Sequence, residues 1–201
     1  SLGTVFRRLL KNKRYTGGVI AQFFYIGAQI GVWSFTIRIA MQELGITEAK
    51  GATIYLCTII GFSISRFIYT SLMKYIRPSL LLAFGGAAST CCALAVAFSA
   101  GSGWFLIIAL GLVSFFMSLM FPTIYGIALE DISKGPHPDD AKIGASGLIM
   151  AILGGALVPP VQAMISDSAG IYTSYLIPAF CFVVVFLYAL YIDRQERTEL
   201  F

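Results

Sequence analysis

Six apolar runs, each long enough to cross a bilayer, follow one another along this chain with only short polar breaks between them. They extend from Gly18 to about Leu44, Gly51 to Met73, Leu80 to Ser99, Trp104 to Leu129, Ile143 to Ile165 and Tyr175 to Ile192. A membrane-spanning helix needs about 20 apolar residues, so the pattern predicts an all-α, polytopic membrane protein with six transmembrane helices in residues 18–192. Only a basic linker (1–17) and a short tail (193–201) remain outside, which leaves no room for a soluble domain. Composition agrees, with 58% hydrophobic residues, 12% charged residues and a mean hydropathy of +0.83.

The first run is too long for the apolar stretch of a cleaved signal peptide, and no small-residue cleavage site follows it. It reads as a span. Before it, Val5 to Arg14 is a basic amphipathic stretch of the kind that links domains at a membrane surface, and an upstream segment is expected. Cys57, Cys91, Cys92 and Cys181 lie inside apolar runs without metal-ligand spacing or acidic companions, so they read as buried thiols. No metal or cofactor is expected. The single histidine, His137, falls in the polar loop between spans four and five and reads as a surface residue.

Lysines and arginines divide unequally between the two ends of the spans. Arg7, Arg8, Lys11, Lys13, Arg14, Lys74, Arg77, Lys134, Lys142, Arg194 and Arg197 share the face that carries the termini, and Arg66 lies near the same end of its span. The other face has Lys50, with Arg38 about two turns inside span one. By the positive-inside rule both termini are cytoplasmic, in what is expected to be a bacterial inner membrane. The net charge of +4 is accounted for by this bias and gives no reason to invoke nucleic acid.

Six spans with both ends on one side divide into two triplets of opposite sense, the arithmetic of an inverted repeat. Within span one, Gln22, Tyr25, Gln29, Trp33 and Thr36 fall in an arc of about 80° at helical spacing. Amide side chains in lipid are costly without partners or water. The stripe therefore either lines a cavity, where amides meet hydroxyls and rings meet the C–H faces of a sugar, or acts as interhelical glue. Span four repeats the theme: Ser114, Ser118, Phe121 and Tyr125 share an arc of about 60°, and Pro122 removes a backbone hydrogen bond among them.

Span five carries Gly154 and Gly155, then Pro159 and Pro160, then Gln162, a sequence suited to close helix approach followed by a bend. Arg66, Lys74 and Arg77 are candidates to pair with Glu130 and Asp131 at the inner end of span four, or else to solvate helix ends. Arg38 points away from the polar stripe and is placed to snorkel outward.

The strings AQFFYIGAQIGVWSF in span one, FMSLMFPTIYGIALEDI in span four and LGGALVPPVQAMISDSAG in span five resemble the C-terminal half of the L-fucose:proton symporters of the major facilitator superfamily. The resemblance runs in the same helix order from about Tyr15 to Ile192. It implies one major-facilitator-type bundle of two inverted three-helix repeats. It also implies a sugar:cation symporter working by alternating access, completed by an N-terminal six-helix bundle beyond this chain. On that reading Gln22, Tyr25, Gln29, Trp33, Phe121 and Tyr125 are the substrate-binding residues. The coupling ion, a proton first with sodium as the alternative, would be held mainly by the other half, where the fucose permease carries its proton on carboxylates.

Departures from the family pattern bear on the sugar. Met120 stands where the fucose permease has Gln, Phe121 lacks a phenolic hydroxyl, and Ser65 and Tyr69 replace glycines. L-fucose is the first expectation, with glucose or galactose next. A self-contained six-helix channel or membrane scaffold is the alternative from another class. An intramembrane enzyme would need a paired-Asp, metal-binding or nucleophile-base set that no apolar run contains, and the chain is not expected to be an enzyme.

Overall fold

The computed structural model describes residues 1–201 and contains helices without strands. A short α1 (Leu2–Lys11) precedes α2 (Lys13–Leu44), α3 (Glu48–Leu72) and α4 (Pro78–Phe98). Then come α5 (Trp104–Met117) and α6 (Met120–Lys134), α7 (Asp140–Met150) and α8 (Gly154–Ala169) joined by a 3-10 turn at Ala151–Leu153, and α9 (Ile171–Ser174) and α10 (Leu176–Glu199). Six units are long and apolar enough to span a membrane: α2, α3, α4, α5 with α6, α7 with α8, and α9 with α10.

Local chemistry sets the helix ends. The Asn12 side chain accepts from the Tyr15 N–H and starts α2 inside its charged flank, earlier than the apolar run suggests. Arg14, in that flank, is 5% exposed because carboxylates surround it. Gly45 ends α2 at φ 63°, in the left-handed region. Thr47 caps α3, and Pro78 occupies the first turn of α4, where its missing N–H costs nothing.

The longest helix, α2, runs through the centre and packs against α3, α6, α8 and α10, while α10 also packs along α4. The core joins Tyr25, Val32 and Ile39 of α2 with Leu110 and Val113 of α5 and Phe182 and Val185 of α10. Embedding is uneven: 56% of the α2 apolar window is buried, against 17% for α3 and 28% for α7–α8. Those two spans turn broad apolar faces outward, toward lipid or another bundle.

The tightest crossing is between α2 and α8. A Cβ added at Gly154 would lie 1.9 Å from the Phe23 carbonyl oxygen, and one at Gly27 would lie 2.4 Å from Val158. Close approach through Gly154 and Gly155 was expected, but the irregularity differs in place. It precedes Gly154, at Ala151–Leu153, and α8 continues through Pro159 and Pro160.

Two further expectations need correction. Cys57 and Cys91 are exposed on the outside of the bundle, and only Cys181 is buried, because an apolar run places a residue at membrane depth without choosing the face it occupies. Arg66 and Arg77 do not pair with Glu130 or Asp131. Glu130 instead accepts from Arg14 and Lys134, each at 2.9 Å, and Asp131 lies 3.5 Å from Arg14. Arg77 pairs with Asp193 at 2.8 Å. Packing α2 and α10 together brings Arg14 and the acidic end of α10 into the positions that charge counting gave to other partners.

Candidate functional site

The polar stripes of α2 and of α5–α6 face one another. Near the terminal side, Gln22 Nε2 donates to the Phe121 carbonyl at 3.3 Å. Toward the other side, Trp33 Nε1 donates to Ser114 Oγ at 3.1 Å. Both bonds join spans one and four, so part of the stripe is interhelical glue. The six candidate residues then sort by depth. Gln22 and Tyr25 are fully enclosed within the bundle, whereas Gln29, Trp33, Phe121 and Tyr125 are half-buried and reach its surface. Thr36 is buried and returns its hydroxyl to the Val32 carbonyl at 2.7 Å.

Phe121 and Tyr125 lie one turn apart on α6 with rings stacked at 12° and centroids 6.4 Å apart. Trp33 meets Phe62 edge-on at 5.1 Å and Tyr55 at 6.4 Å, both on α3. The resulting half-open wall contains one amide, an indole, two stacked rings and two supporting rings. Such a surface offers apolar faces and a few directed polar groups, the usual make-up of a small-molecule site.

The break between α5 and α6 sets where Phe121 and Tyr125 stand. Pro122 has no N–H to give the Ser118 carbonyl one turn earlier, so that acceptor is released at membrane depth. Arg66 supplies the replacement, donating from Nε and Nη2 to the Ser118 carbonyl at 3.3 and 3.0 Å while its guanidinium lies 5.3 Å over the Phe62 ring. Beside it, Ser118 Oγ donates to Ser65 Oγ at 2.9 Å, and Ser65 Oγ in turn donates to the Phe115 carbonyl. Thus α3 braces the break from the side.

The α3 contribution was not anticipated, although a signal was present: Tyr55, Phe62 and Arg66 share an arc of about 40° at helical spacing. Two departures from the family pattern also find a place. Met120 is 1% exposed and points into the core, away from the open wall, and Ser65 belongs to the brace. Phe121 is the departure that reaches the open side.

Far from this wall, Glu43 gathers the opposite end of the bundle. Its carboxylate accepts from the Gly101 and Gly103 N–H groups at 3.2 and 2.8 Å and from the Tyr172 hydroxyl at 2.6 Å. The loop before α5 and the short helix α9 are thereby tied to α2.

No family model matches the chain. It is similar to the L-fucose-proton symporter of Haemophilus influenzae, 43% identical over 197 residues that cover 94% of this chain and 44% of the relative. The L-fucose-proton symporter of Escherichia coli is 38% identical over 90% of this chain and 40% of its own length. The glucose/galactose transporter of Brucella abortus is 32% identical over 86% of this chain and 41% of its own length. Among solved structures, FucP, a major facilitator superfamily transporter crystallised in the outward conformation, superposes with a TM-score of 0.88 at 38% identity, over 96% of this chain and 45% of that one. The chain spans less than half the length of the curated relatives it matches. These relatives are transporters rather than enzymes. In sequence and in fold, this six-helix membrane protein belongs to the major facilitator superfamily and is similar to the C-terminal half of its L-fucose-proton symporters.

Proposed function

We propose that the chain is one half of a secondary active sugar transporter that works by alternating access, with L-fucose as its first candidate substrate. The carrying observation is the 43% identity to an L-fucose-proton symporter over nearly the whole chain. The half-open wall of Gln29, Trp33, Phe121 and Tyr125 supports this reading, because it is built from groups that suit a sugar: an amide for hydroxyls and ring faces for C–H surfaces. Gln22 and Tyr25 stand behind that wall. Gln22 acts on the site through the Phe121 backbone rather than by touching the sugar.

An N-terminal six-helix bundle closes the path from the other side and carries the groups that hold the coupling proton. On this reading both termini face the cytoplasm of a bacterial inner membrane, and the excess of lysine and arginine on the terminal face supports that orientation. Glucose or galactose is the second reading, favoured by the similarity to a glucose/galactose transporter.

The test is radiolabelled uptake of L-fucose, D-galactose and D-glucose into vesicles containing the full-length protein, with and without a pH gradient. Gradient-dependent uptake lost in Trp33→Ala and Gln29→Ala supports the assignment. A folded protein that moves none of the three sugars refutes it.

A further inference from the structure

The basic helix α1 is not used by the transport reading, and its surface is divided. One flank is fixed to the bundle: Leu9 is 3% exposed among Tyr15, Leu129 and Leu148, and Arg8 donates from Nε and Nη2 to the two Asp140 oxygens at 2.7 and 2.8 Å. With that flank pinned, the remaining faces of the helix have a set direction. Leu2, Phe6 and Leu10, at i, i+4 and i+8, form a single stripe and are 61%, 50% and 71% exposed. Arg7 and Lys11, one turn apart, lie on the polar side of the helix about 100° and 140° from the centre of the stripe at helical spacing, and Lys13 follows across Asn12. All three cations are exposed, and unlike Arg8 and Arg14 they pair with no carboxylate.

An exposed apolar stripe on a helix with unpaired cations would be a liability in water, but α1 does not sit in open water. It ends one residue before the membrane-spanning α2 and rests against the ends of α6 and α7, so its level is the bilayer interface. An amphipathic helix of this kind lies in the interface plane, with apolar side chains among the acyl chains and cations at the headgroups. Arg7, Lys11 and Lys13 select for negative charge, and anionic lipid attracts surface cations with about a fivefold gain in equilibrium for each one.

We infer that α1 is an anionic-lipid-binding surface helix, with Leu2, Phe6 and Leu10 inserted into the leaflet on the side of the termini and Arg7, Lys11 and Lys13 holding its phosphate headgroups. The Arg8–Asp140 ion pair holds α1 against the start of α7.

The experiment uses the full-length protein in a cysteine-depleted background, reconstituted in phosphatidylcholine vesicles with or without phosphatidylglycerol. Spin labels are placed at Leu10→Cys on the stripe and Thr4→Cys on the opposite side. Collisions are read with oxygen, which partitions into lipid, and with a water-soluble nickel chelate. In the anionic vesicles the label at position 10 is relaxed by oxygen and the label at position 4 by nickel. The triple variant Arg7→Gln, Lys11→Gln, Lys13→Gln lowers the inserted-to-free ratio by about a hundredfold, about fivefold for each charge removed. Three results would overturn the inference. Equal immersion in neutral and anionic vesicles removes the headgroup selectivity. Shielding of position 10 from both reagents places the stripe against protein, and nickel access at position 10 in every lipid places it in water.

Discussion

Replacing Gly154 by alanine tests the α2–α8 crossing directly. The added Cβ would lie 1.9 Å from the Phe23 carbonyl oxygen and 2.8 Å from its carbonyl carbon. Ordinary contact between such atoms is about 3.4 Å, so the helices must separate by about 1.5 Å along that line. Neither obstacle is the end of a flexible side chain, so no rotamer change relieves the clash. Overpacking costs about 1–3 kcal/mol, and a backbone obstacle puts this site at the upper end. Alanine's better helix propensity returns about 1 kcal/mol. The net loss is about 2 kcal/mol, or roughly 4–8 °C in melting temperature for a cooperative unit of this size. Thermal unfolding of the purified protein in detergent reads it. Gly126→Ala is the matched control, because a Cβ there meets nothing within 4 Å. A Gly154→Ala protein that melts with the Gly126→Ala control would refute the argument that backbone contact governs this crossing.

The other predictions address the braces. Pro122→Ala restores an N–H donor to the Ser118 carbonyl in place of Arg66 and should raise the melting temperature. If the break positions Phe121 and Tyr125 for transport, sugar uptake should fall by about tenfold, the rate equivalent of ~1.4 kcal/mol; undiminished uptake would mean that the break serves packing alone. Arg14→Ala removes a buried guanidinium that donates to the Ile127 carbonyl and to Glu130 at 2.9 Å, and should cost about 2 kcal/mol in unfolding experiments. Glu43→Ala should release the Gly101 and Gly103 amides, and hydrogen exchange in that loop should accelerate by about tenfold, equivalent to ~1.4 kcal/mol. Unchanged protection would show that the loop is held by other contacts.

The fold was readable because hydropathy reports membrane depth directly, and six runs of sufficient length admit few arrangements. Facing is harder to read. The stripe from Gln22 to Trp33 was visible as a helical arc, yet the same spacing serves a cavity wall and a helix contact. The structure gives it both uses: Gln22 and Trp33 bond to α6 and α5, while Gln29 and Trp33 reach the open side. Ion pairs were less legible still. Arg14 looked like a membrane-end cation, but it is enclosed because Tyr188 of α10 donates to its carbonyl at 2.8 Å and the ends of α6 and α10 converge on it. Nothing local to Arg14 encodes that convergence. The fifth span shows the limit of residue types: its prolines marked a bend, but the backbone departs from α-helix before Gly154, on the approach to the close crossing with α2.

The pairing of Arg66 with the acceptor released by Pro122 also restricts how a chain like this one can drift. A proline at this depth leaves a carbonyl that needs a donor, and a guanidinium at position 66 reaches it from the neighbouring helix. Losing the arginine first strands the acceptor, and losing the proline first leaves the cation without that partner. Only the first order leaves a carbonyl without a donor, so the arginine is expected wherever the proline is kept, and a descendant that lacks the arginine should already have lost the proline.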